Sequence, residues 1–494
     1  MEIRGGTLTN WQKLYEERKM TAEEAVTLIK SEDHVIFGHC VSEPAALVDA
    51  MVANHEEYRN VHITHMVSLG KGEYTKPEYA KNFVFEGVFC GAGTRKSVAE
   101  GRGDVIPVYF SELPIWIRRG ILNFDVCLVQ LSPPDQWGYC NLGVESGYTF
   151  QAIRSAKIVI AQINKNVPFS YGDTHIHVSQ LSAIVEIDEP LAEQQPPAVG
   201  EVETAIGKYC ASLIEDGSTL QLGIGAIPDA VLAELKGHRH LGIHSEMIAD
   251  GVLDLVEAGV IDCSQKTLHK GQIVVTFLMG TRRLYDFADH NPMLTLRPVD
   301  YVNDPAVIAK NNKMVSINSA LQVDFMGQVV ADTIGTRQFS GVGGQVDFVR
   351  GVARSEDGKG ISIIAMPSTT TKKDGTVISK ITPYIDNGAA VTTNRYDVDY
   401  IITEYGIARM KGKTLKERAR ALICIAHPDV REELVEAYEQ RFNEPVKRIQ
   451  MPLTHRSSKP AAPKKEAKAD AAAKAADAKA DAKTGAAEAK AAKK

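Results

Sequence analysis

The sequence lacks the cysteine patterns that stabilise small secreted domains or zinc sites. Its seven cysteines are an odd number, lie far apart and form no C-x-x-C pair, so we predict buried thiols and no disulfide framework or zinc knuckle. No uncharged apolar run approaches the roughly 18 residues of a membrane span. The first residues lack the apolar core of a signal peptide. We therefore expect no membrane partner and a cytoplasmic location.

Familiar catalytic motifs are also missing. The sequence contains no H-E-x-x-H and no G-x-S-x-G, so it offers neither a helical zinc site nor a serine nucleophile on a strained turn. His175 and His177 share one face of a predicted strand, but no acidic ligands accompany them, and we predict no metal site. Cys140 has no partner in the sequence that would activate it.

The charge is unevenly distributed. Lys459 to Lys494 contains ten lysines and five carboxylates, a formal charge of +5. Because the net charge of the whole chain is −6, the rest of the chain carries −11. An acidic body argues against a nucleic-acid partner, and a phosphate-bearing ligand would have to be bound by local groups. We predict a disordered Ala/Lys-rich tail over 458–494, because a membrane-surface or partner-binding helix would require bulky apolar residues on one face.

The length and the pattern of apolar runs predict two α/β domains. A chain of 494 residues exceeds the roughly 250–300 residues at which single cores stop growing. Short runs such as Asp33 to Gly38 and Asp125 to Gln130 alternate with helical patterns, and continuous Val/Ile/Leu runs are typical of parallel strands buried on both faces. We expect two similar open domains in tandem, with mainly parallel sheets and flanking helices.

An internal repeat supports this division. Leu28 to Met51 and Leu213 to Leu235 both have the pattern helix, turn, strand, glycine loop and proline-opened helix, about 185 residues apart. This spacing is far longer than a solenoid repeat and indicates a duplicated domain. We place the N-terminal domain at 1–190 and the C-terminal domain at 198–450, joined through the polar, proline-bearing stretch between them.

The second copy contains the candidate site. Its loop Gly223-Ile224-Gly225-Ala226-Ile227 lies between a predicted strand, Thr219 to Leu222, and a helix, where free N–H groups can bind a ligand. A plain tight turn is the alternative. A carboxylate, Glu246, follows the next short strand, and ligands collect at the carboxyl ends of parallel strands. The alternative for Glu246 is a helix-start residue favoured by the helix dipole.

Two later segments complete the candidates. Gly341 and Gly344 lie in Ser340 to Phe348, where clustered glycines can offer bare N–H groups to a developing oxyanion. Asn318 and Leu321 follow a predicted strand and could flank a long ligand.

Together these residues resemble a known family. The segments Gly223 to Pro228, Gly242 to Met247, Ser340 to Phe348 and Thr403 to Ala408 are similar to motifs of the acetyl-CoA hydrolase/transferase family of class I CoA-transferases. Within it, the chain looks most like the 4-hydroxybutyrate and butyryl-CoA:acetate CoA-transferases. The likeness runs from about residue 10 to about 450.

The resemblance implies ping-pong transfer of CoA between short-chain carboxylic acids through a glutamyl-CoA thioester. Glu246 would be the catalytic residue. The CoA-binding residues it implies are Gly223, Ile224, Gly225, Ala226, Ile227, Asn318, Leu321, Gly341 and Gly344. No tightly bound cofactor is expected, because CoA or acyl-CoA is itself a substrate, and we expect a homo-oligomer.

Two other functions remain open. An acyl-CoA hydrolase of the same family would use water where the transferase uses acetate, and an assay with and without a carboxylate acceptor separates the two. The third hypothesis is a non-catalytic nucleotide-binding α/β protein. It would gain support if Glu246 proved dispensable in both assays.

Overall fold

The computed structural model describes residues 11–446. The predicted tail, 458–494, lies outside the described residues. The helices are α1 Trp11–Arg18, α2 Ala22–Val26, α3 Ala45–Ala53, α4 Arg95–Ala99, α5 Leu113–Arg118, α6 Thr149–Ser155, α7 Glu201–Ala211, α8 Ala226–Glu234, α9 Gly251–Glu257, α10 Arg282–Ala288, α11 Val299–Val302, α12 Pro305–Ile308, α13 Gln345–Ala353, α14 Leu415–Ile425 and α15 Arg431–Phe442.

The strands of the first half and of the connecting region come next in chain order. They are β1 His34–Phe37, β2 Val61–Thr64, β3 Phe83–Gly87, β4 Gly103–Val105, β5 Val126–Leu131, β6 Tyr139–Asn141, β7 Ile158–Asn164, β8 Tyr171–Gly172, β9 His175–His177, β10 Ala183–Ile187, β11 Thr219–Leu222, β12 Gly242–Ile243, β13 Met247–Ile248, β14 Ile273–Val275, β15 Phe277–Leu278 and β16 Leu294–Leu296.

The remaining strands belong to the second half. They are β17 Met314–Asn318, β18 Gln322–Asp324, β19 Val329–Val330, β20 Thr333–Ile334, β21 Arg337–Gln338, β22 Ile361–Ala365, β23 Thr369–Thr371, β24 Val377–Ser379, β25 Ile381–Thr382, β26 Tyr400–Thr403 and β27 Gly406–Arg409.

Two parallel sheets dominate the molecule. The first has seven strands in the order β10-β7-β5-β1-β2-β3-β4, with all neighbouring pairs parallel. The second has six strands in the order β12-β11-β17-β22-β26-β27, parallel except for the β26–β27 pair. The predicted mainly parallel α/β architecture is confirmed, and it places the strands' carboxyl ends together at one edge of each sheet.

The internal repeat has the predicted secondary structure. In the first copy β1 is followed by a loop and by α3, and in the second β11 is followed by the Gly223 loop and by α8. Each strand is an interior member of its sheet. Because both glycine loops leave from the carboxyl end of an interior strand, each half offers a loop at the edge where ligands collect.

The helix after Thr21 is shorter than the pattern predicts. The sequence suggests a helix to about Lys30, whereas α2 ends at Val26. The capping box that this sequence pattern predicts is present: Thr21 and Glu24 bond each other's backbone. After the helix the backbone bonds change to a spacing of three residues, as in Ile29 N–H to the Val26 carbonyl, which also accepts from the Tyr58 hydroxyl over 2.7 Å. These tighter turns bring Ile29 into the core.

The two halves share buried apolar packing. One cluster of buried side chains contains Leu131 of β5 together with Leu222 of β11. Strand pairing also crosses between the halves, since β16 pairs with β8 and Phe277 forms a bridge with Glu145. The candidate catalytic segment therefore packs against the N-terminal half. The predicted boundary near residues 188–197 stays a prediction.

Two further expectations can be compared with residues 11–446. No helix in this part of the chain combines the length and apolar character needed to cross a membrane. Six of the seven cysteines are buried, while Cys424 is partly exposed. Burial raises the pKa of Cys140 to about 12, so its thiol is protonated at neutral pH and is not an activated nucleophile.

Candidate active site

The local structure around Glu246 fixes its backbone. The chain leaves β12 at Ile243, and the Glu246 carbonyl accepts hydrogen bonds from the N–H groups of Thr276 at 2.9 Å and Phe277 at 3.2 Å. The Ser245 hydroxyl donates to the Leu222 carbonyl over 3.0 Å and accepts from the Leu222 N–H at 3.3 Å. The segment that carries Glu246 is thereby joined to the last residue of β11, directly before the Gly223 loop.

The Glu246 carboxylate has one hydrogen-bond donor and a close backbone neighbour. The Asn303 side chain donates from Nδ2 to Oε2 over 2.7 Å, and Gly344 lies against the same oxygen. Burial raises the pKa of Glu246 above its usual range, while Asn303, the charge on His39 and the Gly344 backbone oppose that rise. The site therefore contains a desolvated carboxylate with the Asn303 amide already bound to it.

Only glycine fits at position 344. A Cβ built there would lie 2.1 Å from Glu246 Oε2 and 2.3 Å from Asn303 Nδ2. Such distances are far inside van der Waals contact, so a side chain would displace the carboxylate or the amide. The glycine loop therefore approaches the Glu246 carboxylate closely.

The Gly341–Gly344 loop is bound to the N-terminal half. The Gly343 carbonyl accepts from the Phe110 N–H at 3.3 Å, and the Ser340 carbonyl accepts from the Cys90 N–H at 3.4 Å. At the start of α13, Asp347 accepts from the Ser111 N–H at 3.1 Å and from its hydroxyl at 2.8 Å. These contacts fix the loop against Glu246 from the opposite half.

Asp347 is a buried carboxyl beside the site. Burial raises its pKa to about 7, the bonds from Ser111 lower it, and the charge of Glu246 raises it further. Asn303 also lowers the pKa of Asp347, so this amide lies near both carboxyl groups.

A buried histidine–glutamate pair lies close enough to Glu246 to affect its charge. His39 Nε2 and Glu145 Oε1 are 3.6 Å apart, and both side chains are buried. Burial lowers the pKa of His39, but Cys40 and Glu145 raise it more, to about 10. The resulting positive charge is felt at Glu246, whose pKa it lowers.

The Gly223 loop is open toward solvent. Gly225 has φ +119, a conformation that favours glycine. A Cβ built at Gly223 or Gly225 would meet nothing within 4 Å, so a ligand can approach the main chain there. Ile224 is 44% exposed, while Ala226 and Ile227 begin α8.

The other predicted residues lie nearby in the fold. Asn318 ends β17, the neighbour of β11, and exchanges hydrogen bonds of 3.3 and 3.1 Å with Gln221 of that strand. Leu321 follows shortly, and its N–H donates to the Val330 carbonyl over 2.8 Å. Gly341 touches the N-terminal half, since a Cβ there would lie 2.6 Å from the Val88 carbonyl oxygen.

A cavity of 870 Å³ adjoins the Gly341–Gly344 loop. Gly341 and Val342 form part of its wall, together with Tyr109, Trp116 and Asp332. The structure thus brings Glu246 and Gly344 into contact, places Asn318 at the sheet edge of the Gly223 loop, and puts Gly341 beside a large cavity.

The chain resembles known proteins both in its family motifs and over most of its length. Residues 7–193 match the acetyl-CoA hydrolase/transferase N-terminal domain, and residues 280–438 match the C-terminal domain of that family. Glu246 lies between the two matched ranges. Together the two matches cover more than half of the chain.

Individual relatives extend across the intervening region. A 4-hydroxybutyrate coenzyme A transferase of Clostridium kluyveri is 56% identical over 432 residues, 87% of this chain and 100% of the relative. A butyryl-CoA:acetate CoA-transferase of Anaerostipes caccae is 36% identical over 439 residues, covering 87% of this chain and 98% of the relative. The crystal structure of a 4-hydroxybutyrate CoA-transferase from Porphyromonas gingivalis superposes with a TM-score of 0.75 at 42% identity, over 87% of this chain and 100% of that one.

Proposed function

Because the chain belongs to the acetyl-CoA hydrolase/transferase family, we propose that it transfers CoA from a short-chain acyl-CoA to acetate through a thioester on Glu246. Its CoA-transferase relatives support the reaction class of an acyl-CoA:carboxylate CoA-transferase. The relatives' named substrates support 4-hydroxybutyryl-CoA and butyryl-CoA as donors. The observation that carries the mechanism is the buried Glu246 carboxylate, bound by Asn303 Nδ2 and approached closely by Gly344.

The two carboxylate oxygens have different surroundings. Asn303 Nδ2 donates to Oε2, and Gly344 lies against the same oxygen. We assign Oε1 as the atom that attacks the thioester carbonyl. The C–S bond then breaks, CoA leaves as the thiolate, and Glu246 and the acyl group form a mixed anhydride.

The second step uses the other oxygen. CoA thiolate attacks Cδ of Glu246, and the charge that develops on Oε2 is stabilised by the Asn303 amide already there. The anhydride C–O bond breaks, the donor's carboxylate leaves, and a glutamyl-CoA thioester remains. One such preorganised donor is worth roughly 3 kcal/mol of barrier.

Acetate completes the cycle by the reverse sequence. Its carboxylate attacks Cδ of the glutamyl-CoA thioester, CoA leaves as the thiolate and re-attacks the acetyl carbonyl of the new anhydride, and free Glu246 is regenerated. The raised pKa of Glu246 favours nucleophilicity once the group is ionised. The positive charge of His39 helps keep it ionised.

The Gly223 loop is proposed to hold CoA. Its open main chain and its position before α8 suit an anionic or amide-bearing ligand. Asn318, Leu321 and Gly341 are proposed to border the same ligand. Binding energy from the remote parts of CoA can then lower the barrier at the reacting carbonyl.

A panel assay tests the proposal. CoA transfer is measured from acetyl-, propionyl-, butyryl- and 4-hydroxybutyryl-CoA, each with and without acetate, for the wild type and for Glu246→Gln. We expect acetate-dependent turnover with the butyryl or 4-hydroxybutyryl donor and none in the variant. Equal CoA release without acetate would identify a hydrolase, and full activity of Glu246→Gln would contradict the mechanism. The homo-oligomer stays a prediction, which light scattering after size-exclusion chromatography measures.

A further inference from the structure

A cluster of metal-binding side chains lies on the first sheet, away from the candidate active site. His34 begins β1 and is the direct register partner of His62 on β2. His62 pairs with Val84 on β3, so Glu86, two residues further, points to the same face. Residues far apart in the sequence thus meet on three adjacent strands.

The three side chains are already close. His62 Nδ1 lies 3.1 Å from Glu86 Oε2, the rings of His34 and His62 are stacked with centroids 4.4 Å apart, and one ligand atom from each residue lies within 4.8 Å of the others. His34 starts β1, whereas His39 of the active site follows its carboxyl end. The cluster is therefore distinct from the groups around Glu246.

One atom of the cluster has no satisfactory partner. His62 Nδ1 is shielded from solvent and makes no hydrogen bond of acceptable geometry, although Glu86 is near. Buried polar atoms in folded proteins nearly always have a partner, so this nitrogen requires an explanation. A metal ion between His62 and Glu86 would supply one.

We propose that His34, His62 and Glu86 bind a divalent transition-metal ion of the Zn²⁺ class. Two imidazole nitrogens and one carboxylate suit Zn²⁺, Co²⁺ or Ni²⁺ rather than the oxygen-seeking Mg²⁺ or Ca²⁺. Water would complete the coordination of the ion.

Binding requires a small rearrangement. Tetrahedral ligands about 2.0–2.1 Å from zinc lie about 3.3 Å from one another, so the cluster must contract. The ring planes differ by only 14°, and one ring must turn before both nitrogens can face one ion. Imidazole χ2 is a broad torsion, and His62 and Glu86 keep 22% and 33% of their side-chain surface exposed.

A bound ion would connect three strands by side-chain bonds. It would stabilise the folded chain in proportion to its affinity, because the unfolded chain does not hold the three ligands together. The ion would leave the CoA-transfer chemistry unchanged, since none of its ligands contacts Glu246.

The test is Co²⁺ and Zn²⁺ binding to the full chain without a histidine tag, after treatment with a chelator and its removal. We expect one equivalent of Zn²⁺ to bind by calorimetry, a visible Co²⁺ absorption band typical of four or five ligands, and a melting temperature raised by Zn²⁺ but not by Mg²⁺. His34→Gln and Glu86→Gln should each weaken binding by at least about 10-fold, and His62→Gln should abolish it.

His240→Gln is the matched control. His240 pairs with Asp262 over 2.7 Å on the surface, an ordinary histidine–carboxylate pair, and its loss should leave binding unchanged. Circular dichroism and transferase activity show whether each variant is folded. The proposal would be overturned if the wild type showed no saturable binding, or if folded His34→Gln and His62→Gln bound the metal as tightly as the wild type. His62–Glu86 would then be a plain ion pair.

Discussion

Asn303 Nδ2 donates to Glu246 Oε2 over 2.7 Å, although the two residues lie on separate elements, after β12 and at the end of α11. Gly344 lies against the same oxygen, and Asp347 in the helix that follows Gly344 accepts two bonds from Ser111 of the other half. The orientation of the candidate catalytic carboxylate therefore depends on both halves of the chain.

Replacing Asn303 should reduce turnover more than binding. Asn303→Ala removes a donor from Oε2, and we expect kcat to fall by about 10- to 100-fold, with a smaller change in KM. Asn303→Asp should be at least as severe, because a third carboxyl group would be placed between Glu246 and Asp347. Asn123→Ala, which removes a surface bond to Gly120, is the control and should retain full activity.

Gly344→Ala should inactivate the enzyme without unfolding it. The added methyl would lie 2.1 Å from Glu246 Oε2, so the carboxylate must move, and we expect at least about a 100-fold loss of kcat. Gly237→Ala is the comparison, because a Cβ there meets nothing within 4 Å. Wild-type kinetics for Gly344→Ala would show that the carboxylate does not need this approach.

Gly223→Ala tests the proposed CoA loop by separating stability from binding. A methyl at this position meets nothing within 4 Å, so the melting temperature should not change. If CoA lies against the main chain there, KM for butyryl-CoA should rise by about 5-fold or more. An unchanged KM would remove Gly223 from the predicted binding residues.

Asp347 should give stability a specific pH dependence. Its pKa in the folded chain is about 7, above the ordinary value of 3.8 for an aspartate, so between these values the folded state binds more protons than the unfolded state. The contribution of Asp347 to stability therefore decreases as pH rises toward 7. The wild type should gain stability relative to Asp347→Asn between pH 7.5 and pH 5 by more than about 1 kcal/mol.

Urea unfolding of both proteins at the two pH values measures this difference, and most other titrating groups cancel in the comparison. A constant difference would mean that Asp347 is ionised throughout, with an ordinary pKa. A change of the opposite sign would mean that its bonds from Ser111 outweigh burial.

The regular part of the fold could be predicted from the sequence because it rests on local patterns. Strand β11 occupies the predicted residues Thr219–Leu222, since an apolar run ending at a glycine loop identifies a buried parallel strand. Glu246 and Gly344 were identified by motifs, and the structure brings them into contact.

The rest of the site depends on contacts between distant residues. Asn303 is 57 positions from Glu246, and Ser111 is 236 positions from Asp347; no local pattern links such pairs. His39 is not among the predicted site residues, although the sequence contains a signal for it. It lies in the first copy of the repeat, in the loop that corresponds to the Gly223 loop. The proposed metal site also could not be predicted from local patterns, since strand register brings His34, His62 and Glu86 together.

The thioester on Glu246 is tested most directly by mass spectrometry of the enzyme after incubation with butyryl-CoA alone. We predict that the peptide containing Ile243 to Met247 gains CoA as a thioester on Glu246. Borohydride should then inactivate the enzyme, and acetate added before borohydride should protect it. Glu246→Gln should show neither adduct nor inactivation. A CoA adduct on a cysteine such as Cys140, with none on Glu246, or inactivation by borohydride that needs no acyl-CoA, would contradict the account.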